Sequence, residues 1–106
     1  MKTVTDWSRI AALYAELMRV APSPVVELNR AVAVCMSEGP AAGLAIVETL
    51  MQDKALQRYH WLYAVRGDLL ERLGRGEEAR AAFGQAAAQA GNQREKALLQ
   101  QRAASV

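Results

Sequence analysis

The sequence predicts an all-α fold, a single domain of about six antiparallel helices packed as consecutive pairs. Apolar residues recur at three- and four-residue steps along most of the chain, the spacing that gathers them on one face of a helix. Alanine is abundant and β-branched runs are short, which favours helix over strand. Between the periodic stretches stand punctuating residues: Pro22 and Pro24, Gly39 and Pro40, Gly74, and Gly91.

The first helix is expected over 6–20, after a short polar lead from Met1 to Thr5. Thr5 or Asp6 supplies its cap, and Trp7, Ile10, Leu13, Tyr14 and Leu17 form its buried face. Pro22-Ser23-Pro24 stops it, because proline disfavours helix in the residue before it. Ser23 then caps a second helix over 24–37, with Pro24 at its first position. That helix is apolar on most sides, which places it centrally, and Asn29 and Arg30 interrupt it. A third helix over 40–52 turns Leu44, Val47 and Leu50 or Met51 inward. The fourth, over 57–73, carries Leu62, Val65, Leu69, Leu70 and Leu73 in one stripe. Gly74 sits where a left-handed residue would end it, with Arg72 and Arg75 near its negative pole. Glu77 and Glu78 open the fifth helix, over 76–90, whose inner face holds Ala79, Ala82, Phe83 and Ala86. Gly67 removes a side chain where these two helices cross, and Phe83 fills the wedge. Asn92 caps a sixth helix over 92–104, with Glu95 in capping-box position.

Composition bounds the function. The chain has 106 residues, 52% of them hydrophobic, enough for one globular core. Its net charge is +2, with 4 basic and 6 acidic residues up to Asp53 and 9 basic and 5 acidic from Lys54 onward. A +4 half falls far short of a nucleic-acid-binding stripe, so no specific nucleic-acid binding is expected. The single Cys35 rules out an internal disulfide and suits a reducing cytoplasm. No apolar run approaches the ~20 residues of a membrane span, and no signal-peptide core opens the chain.

The spacing of Gly67, Leu70, Gly74, Glu78, Ala79, Phe83 and Ala86 resembles one tetratricopeptide repeat, the helix–turn–helix unit of about 34 residues. The usual tryptophan and tyrosine of its first helix are Tyr63 and Leu70 here, and the closing proline is Gly91. The second and third helices look like a degenerate earlier repeat, with Gly39 in the place of Gly74, and Gly43 and Val47 in those of Ala79 and Phe83. This resemblance implies a right-handed array of two helix pairs flanked by an end helix on each side.

A second resemblance spans nearly the whole chain. The strings DWSRIAALYAELM, SPVVELNRAVAV, GPAAGLAIV, YHWLYAVRGDLLERLGRGEEARAAF and AGNQREKALLQQR are similar to the C-terminal tetratricopeptide-like extension of bacterial extracytoplasmic-function-type sigma factors. SPVVELNRAVAV carries most weight, because no general repeat rule demands Asn29 and Arg30 there. The helix that melts the −10 element and the helix-turn-helix that reads the −35 element are missing from these 106 residues. The resemblance therefore implies a regulatory module working through contacts with the sigma core, RNA polymerase or a partner protein. A generic tetratricopeptide adaptor and a small-molecule or signal sensor are the alternatives.

Residues for catalysis are scarce. His60 is the one histidine, Cys35 lies mid-helix among valines, and no glycine-rich phosphate loop exists. No catalytic, metal-binding or cofactor-binding residues are expected. For binding, Asn29 and Arg30 stand out, since burying them unpaired would cost several kcal/mol. Either they are structural, with Asn29 holding the Pro22–Pro24 turn or a helix backbone and Arg30 pairing with an acid such as Asp68, or they face a partner. In the second case they line a groove between the second and fourth helices, with Trp61, Asp68 and Glu71 as its facing wall. Tyr59, His60, Trp61 and Tyr63 are expected to act mostly as filler between pairs. The basic last helix, with Arg94, Lys96 and Arg102, is expected to be a solvated cap.

Overall fold

Capping side chains mark where three of the six described α-helices begin. In the computed structural model, which describes residues 5–106, Asp6 accepts a hydrogen bond from the Arg9 amide at 3.1 Å and opens α1, Trp7–Val20. Ser23 accepts from the Val26 amide and opens α2, Pro24–Glu38. Asn92 accepts from the Glu95 amide at 2.8 Å and opens α6, Gln93–Ser105. Each bond satisfies an amide that the first turn leaves without a partner. The other helices are α3, Pro40–Leu50, α4, His60–Arg72, and α5, Gly76–Gln89. The polar lead expected from Met1 lies outside the described residues as far as Val4.

The two interhelix turns inside the pairs are made by glycines at positive φ, Gly39 at 105° and Gly74 at 76°. At Gly74 the Arg75 amide reaches back to the Leu70 carbonyl at 2.9 Å and the Gly74 amide to that of Glu71 at 3.0 Å. This pair of bonds closes the C-terminus of α4 and reverses the chain within three residues. One boundary differs from expectation. The fourth helix starts at His60 rather than near residue 57, because Lys54–Leu56 forms a separate 3-10 turn capped by Asp53. That turn drives Leu56 into the core, and the Tyr63 hydroxyl donates to the Gln57 carbonyl at 2.8 Å to hold it.

Each helix packs on the next in chain order, and α2 also touches α4 past the intervening α3. The described residues form helices and turns with no strand. The core runs through α2–α5 and is centred on Leu28, Ala31, Val47, Leu69, Leu70 and Phe83. Small residues set the closest approaches. A Cβ placed on Gly67 would lie 2.9 Å from the Phe83 ring, and one on Gly43 would lie 2.8 Å from the Ala31 carbonyl oxygen. Neither terminal helix has a fully buried residue.

The face of α1 departs from expectation. Trp7, Ile10 and Tyr14 are half-buried against α2, joined by Ala11 and Met18, whereas Leu13 and Leu17 point away and are 61% and 44% exposed. With one neighbour only, α1 can cover one narrow stripe. Its apolar residues occupy more than half its circumference, so the excess faces outward.

Candidate functional site: a trough between α2, α4 and α6

The helices α2, α4 and α6 share one side of the array and enclose an apolar trough of about 260 Å³. From α2 it receives Val32, Cys35 and Met36, and from α4 Trp61, Ala64, Val65 and Leu69. Phe83 of α5 forms the floor, and Leu99 and Arg102 of α6 form the third wall. Trp61, Ala64 and Leu99 also line an adjoining pocket of about 170 Å³ with His60, Glu95 and Leu98. The two depressions are thus continuous past the Trp61 side chain, which is 44% exposed.

Charged groups stand at both ends. At the far end Asp68 receives the Arg72 Nε at 3.0 Å and an Arg102 nitrogen at 3.3 Å, and the same Arg102 nitrogen lies 3.3 Å from Glu71. The Arg102 guanidinium also stacks over the Phe83 ring, 4.6 Å from its centroid. The bond to Asp68 holds Arg72 further above its already high range. At the near end His60 Nε2 is 3.5 Å from Glu95. Cys35 borders the trough, and burial pushes its thiol above the ordinary range, the opposite of what an activated nucleophile needs.

The sequence-predicted residues separate. Trp61 and Asp68 line the trough, and Glu71 sits at its rim through Arg102. Arg30 does not face it. Its guanidinium is bonded to Glu27, one turn earlier on the same helix, and borders a separate depression of about 250 Å³ against α3, with Ala45, Ile46 and Thr49. The expected Arg30–Asp68 pair is therefore absent. Glu27 satisfies Arg30 locally and raises its pKa further, while Asp68 is taken by α4 and α6. Asn29 makes no side-chain hydrogen bond among the described residues, so the expected tie to the Pro22–Pro24 turn is also absent. It lies on the same helical stripe as Val32 and Met36, one turn before the trough. Within the repeat signature, Gly67 and Phe83 meet where α4 and α5 cross, Leu70, Ala79 and Ala86 are buried, and Gly74 is at the turn.

Sequence reasoning placed the groove between the second and fourth helices but missed which α2 residues wall it, and it missed the role of α6. The second helix read as apolar on most sides and central, yet Met36 is 44% exposed. Arg102 read as a solvated cap, yet it closes one end of the trough by bridging to α4. The available signal was the spacing of Leu99 and Arg102, three apart on one face of α6. Among the described residues no group of three or more His, Cys, Asp or Glu side chains is close enough to hold a metal ion.

The chain is 52% identical over 95 residues to an uncharacterized protein of Rhizobium meliloti, a match covering 90% of this chain and 22% of that protein. The chain thus spans about a fifth of the length of its curated relative. No protein family matches the chain. No solved structure matches it either.

Proposed function

We propose that this chain is a non-catalytic docking module with a tetratricopeptide-like array of helix pairs, serving as the regulatory extension of an extracytoplasmic-function-type sigma factor. The observation that carries the docking reading is the apolar trough walled by α2 and α4, the first members of the two helix pairs, and by the end helix α6. In a stacked helix-pair array these helices line the concave side, where extended segments and amphipathic helices bind. The transcriptional part rests on the similarity of the strings quoted above, SPVVELNRAVAV foremost. A strong match that covers little of a much longer protein also suits a domain carried on a larger polypeptide.

The trough favours a protein partner over a small molecule. Its charged groups are largely satisfied by one another, which leaves few free to orient a small ligand. Apolar side chains of the sigma core or a partner would fill it, with Trp61 as the anchor and Asp68, Arg72 and Arg102 fixing orientation. The proposed compartment is the cytoplasm, where RNA polymerase works. Among the described residues no helix is long and apolar enough to cross a membrane.

The test is run-off transcription by RNA polymerase with a sigma factor of this type whose extension is supplied as this domain or as its Trp61→Ala variant. A transcript yield that depends on the domain, and is lost with Trp61→Ala while circular dichroism stays unchanged, supports the reading. Equal yields with and without the domain sink it.

A further inference from the structure

Among the described residues two apolar surfaces have no partner. One is concave, the trough and its adjoining pocket. The other is convex. Leu13, Leu17 and Val20 stand in a row along the outer side of α1, 61%, 44% and 68% exposed. A solvent-facing stripe of a helix is ordinarily polar, and among the described residues nothing covers these three aliphatic side chains. We infer that α1 of one copy docks in the α2–α4–α6 trough of a second copy, joining copies head to tail. This rests on the trough being a docking surface, as proposed above, and makes a second copy a competitor of the sigma core or partner for it.

Pattern, length and charge agree. Apolar residues at steps of four and three are what an amphipathic helix presents to a groove. From Arg9 to Val20 is eleven positions on α1, and from Trp61 to Arg72 is eleven positions along the α4 wall; each spans about 16 Å of helix. Arg9 precedes Leu13 by one turn on the same stripe, is exposed, and forms no ion pair among the described residues, which include every acidic residue of the chain. Of the carboxylates bordering the trough and its adjoining pocket, Asp68 and Glu71 are already met by arginines. Glu95, 44% exposed, has only the His60 ring at 3.5 Å. The unmatched arginine and the unmatched carboxylate set the direction. Arg9 lies at the Glu95 end, and Val20 points toward Arg72. Leu13 and Leu17 then cover Trp61 and Met36. Because the joined surfaces differ, the contact is heterologous and builds rings or open chains rather than two-fold dimers.

Sedimentation of the full chain at rising concentration tests this. The weight-average mass should climb from 11.6 kDa past twice that value. Leu17→Glu and Trp61→Glu should each remain monomeric, with folding verified by circular dichroism. Leu13→Lys and Met36→Lys replace them if either misfolds. An equimolar mixture of the α1 and trough variants should form a complex of two chains and nothing larger, since each retains the surface the other lacks. Arg9→Glu should weaken association, and Glu95→Arg in the same chain should restore it. A wild-type chain that stays monomeric overturns the inference, as does a mixture of variants that stays monomeric. A dimer that survives Trp61→Glu also overturns it, because that result indicates a two-fold α1–α1 contact. If the mass never rises but transcription still requires Trp61, the docking reading stands and self-association falls. If association follows this pattern while transcription ignores the domain, the sigma-factor reading falls instead.

Discussion

Replacing Gly67 by alanine should destabilise the protein only while Phe83 faces it. In an ordinary helix interior the change from glycine to alanine gains about 0.5–1 kcal/mol, because alanine loses less conformational freedom on folding. At position 67 the new Cβ would lie 2.9 Å from two carbons of the Phe83 ring, a buried side chain. Overpacking of this kind costs about 1–3 kcal/mol, so Gly67→Ala alone is expected to lower stability by up to ~2 kcal/mol. In a Phe83→Leu background the ring edge is gone, and the same substitution should stabilise by ~0.5–1 kcal/mol. The coupling between the two positions is then about 1–3 kcal/mol, measurable by urea unfolding followed by far-ultraviolet circular dichroism. If Gly67→Ala has the same effect in both backgrounds to within ~0.5 kcal/mol, the close α4–α5 crossing at Gly67 is refuted. Phe83→Ala by itself should cost about 3–5 kcal/mol, a large part of the ~5–15 kcal/mol typical of a domain.

Gly39→Ala should lose about 1–3 kcal/mol, since φ there is 105° with ψ 165°, a region suited to glycine; a thermal melt checks it. Asn92→Ala should cost about 1 kcal/mol through the lost bond to the Glu95 amide, seen as a lower urea midpoint. Asp68→Asn should change stability by less than ~1 kcal/mol, and added salt should shrink the difference, because the Asp68 pairs are half exposed. Cys35 should resist alkylation in the folded protein at neutral pH. Because burial raises its folded pKa, the folded state holds the thiol proton more tightly than the unfolded chain. Stability is therefore intact below the ordinary thiol pKa and falls as pH rises through the raised folded value. Cys35→Ala should lose less stability over that alkaline window.

What was legible in the sequence was local. Asp6, Ser23 and Asn92 cap within three residues of themselves, and Gly74 terminates α4 through neighbouring carbonyls, so adjacent residues suffice to read them. The contact of Gly67 with Phe83 was also readable, because one tight turn separates the two helices. The face of α1 was not. Periodicity says that a stripe is apolar, but it cannot say whether a neighbour exists to cover it, and Leu13 and Leu17 have none. The partner of Arg30 was misread in the other direction. Glu27 stood three residues away, at a spacing that pairs on any helix, and a distant acid was preferred to it. Arg102 illustrates the remaining gap. Its bonds to Asp68 and Glu71 span more than thirty residues, and they form because α6, packed on α5, is carried within reach of α4.

The last wall of the trough is also its least anchored part. Helix α6 has no fully buried residue and holds to the rest through Leu99, Ala103, Val106 and the bonds of Arg102, most of them at the surface. Elements so lightly attached open before the rest of a domain does, and their amides exchange hydrogen with solvent first. Detachment of α6 would remove Leu99 and Arg102 together and leave an open gutter where the cavity had been. An occupant of the trough therefore holds α6 in place, and its arrival should appear as slowed amide exchange along Gln93–Ser105, including at residues it never touches.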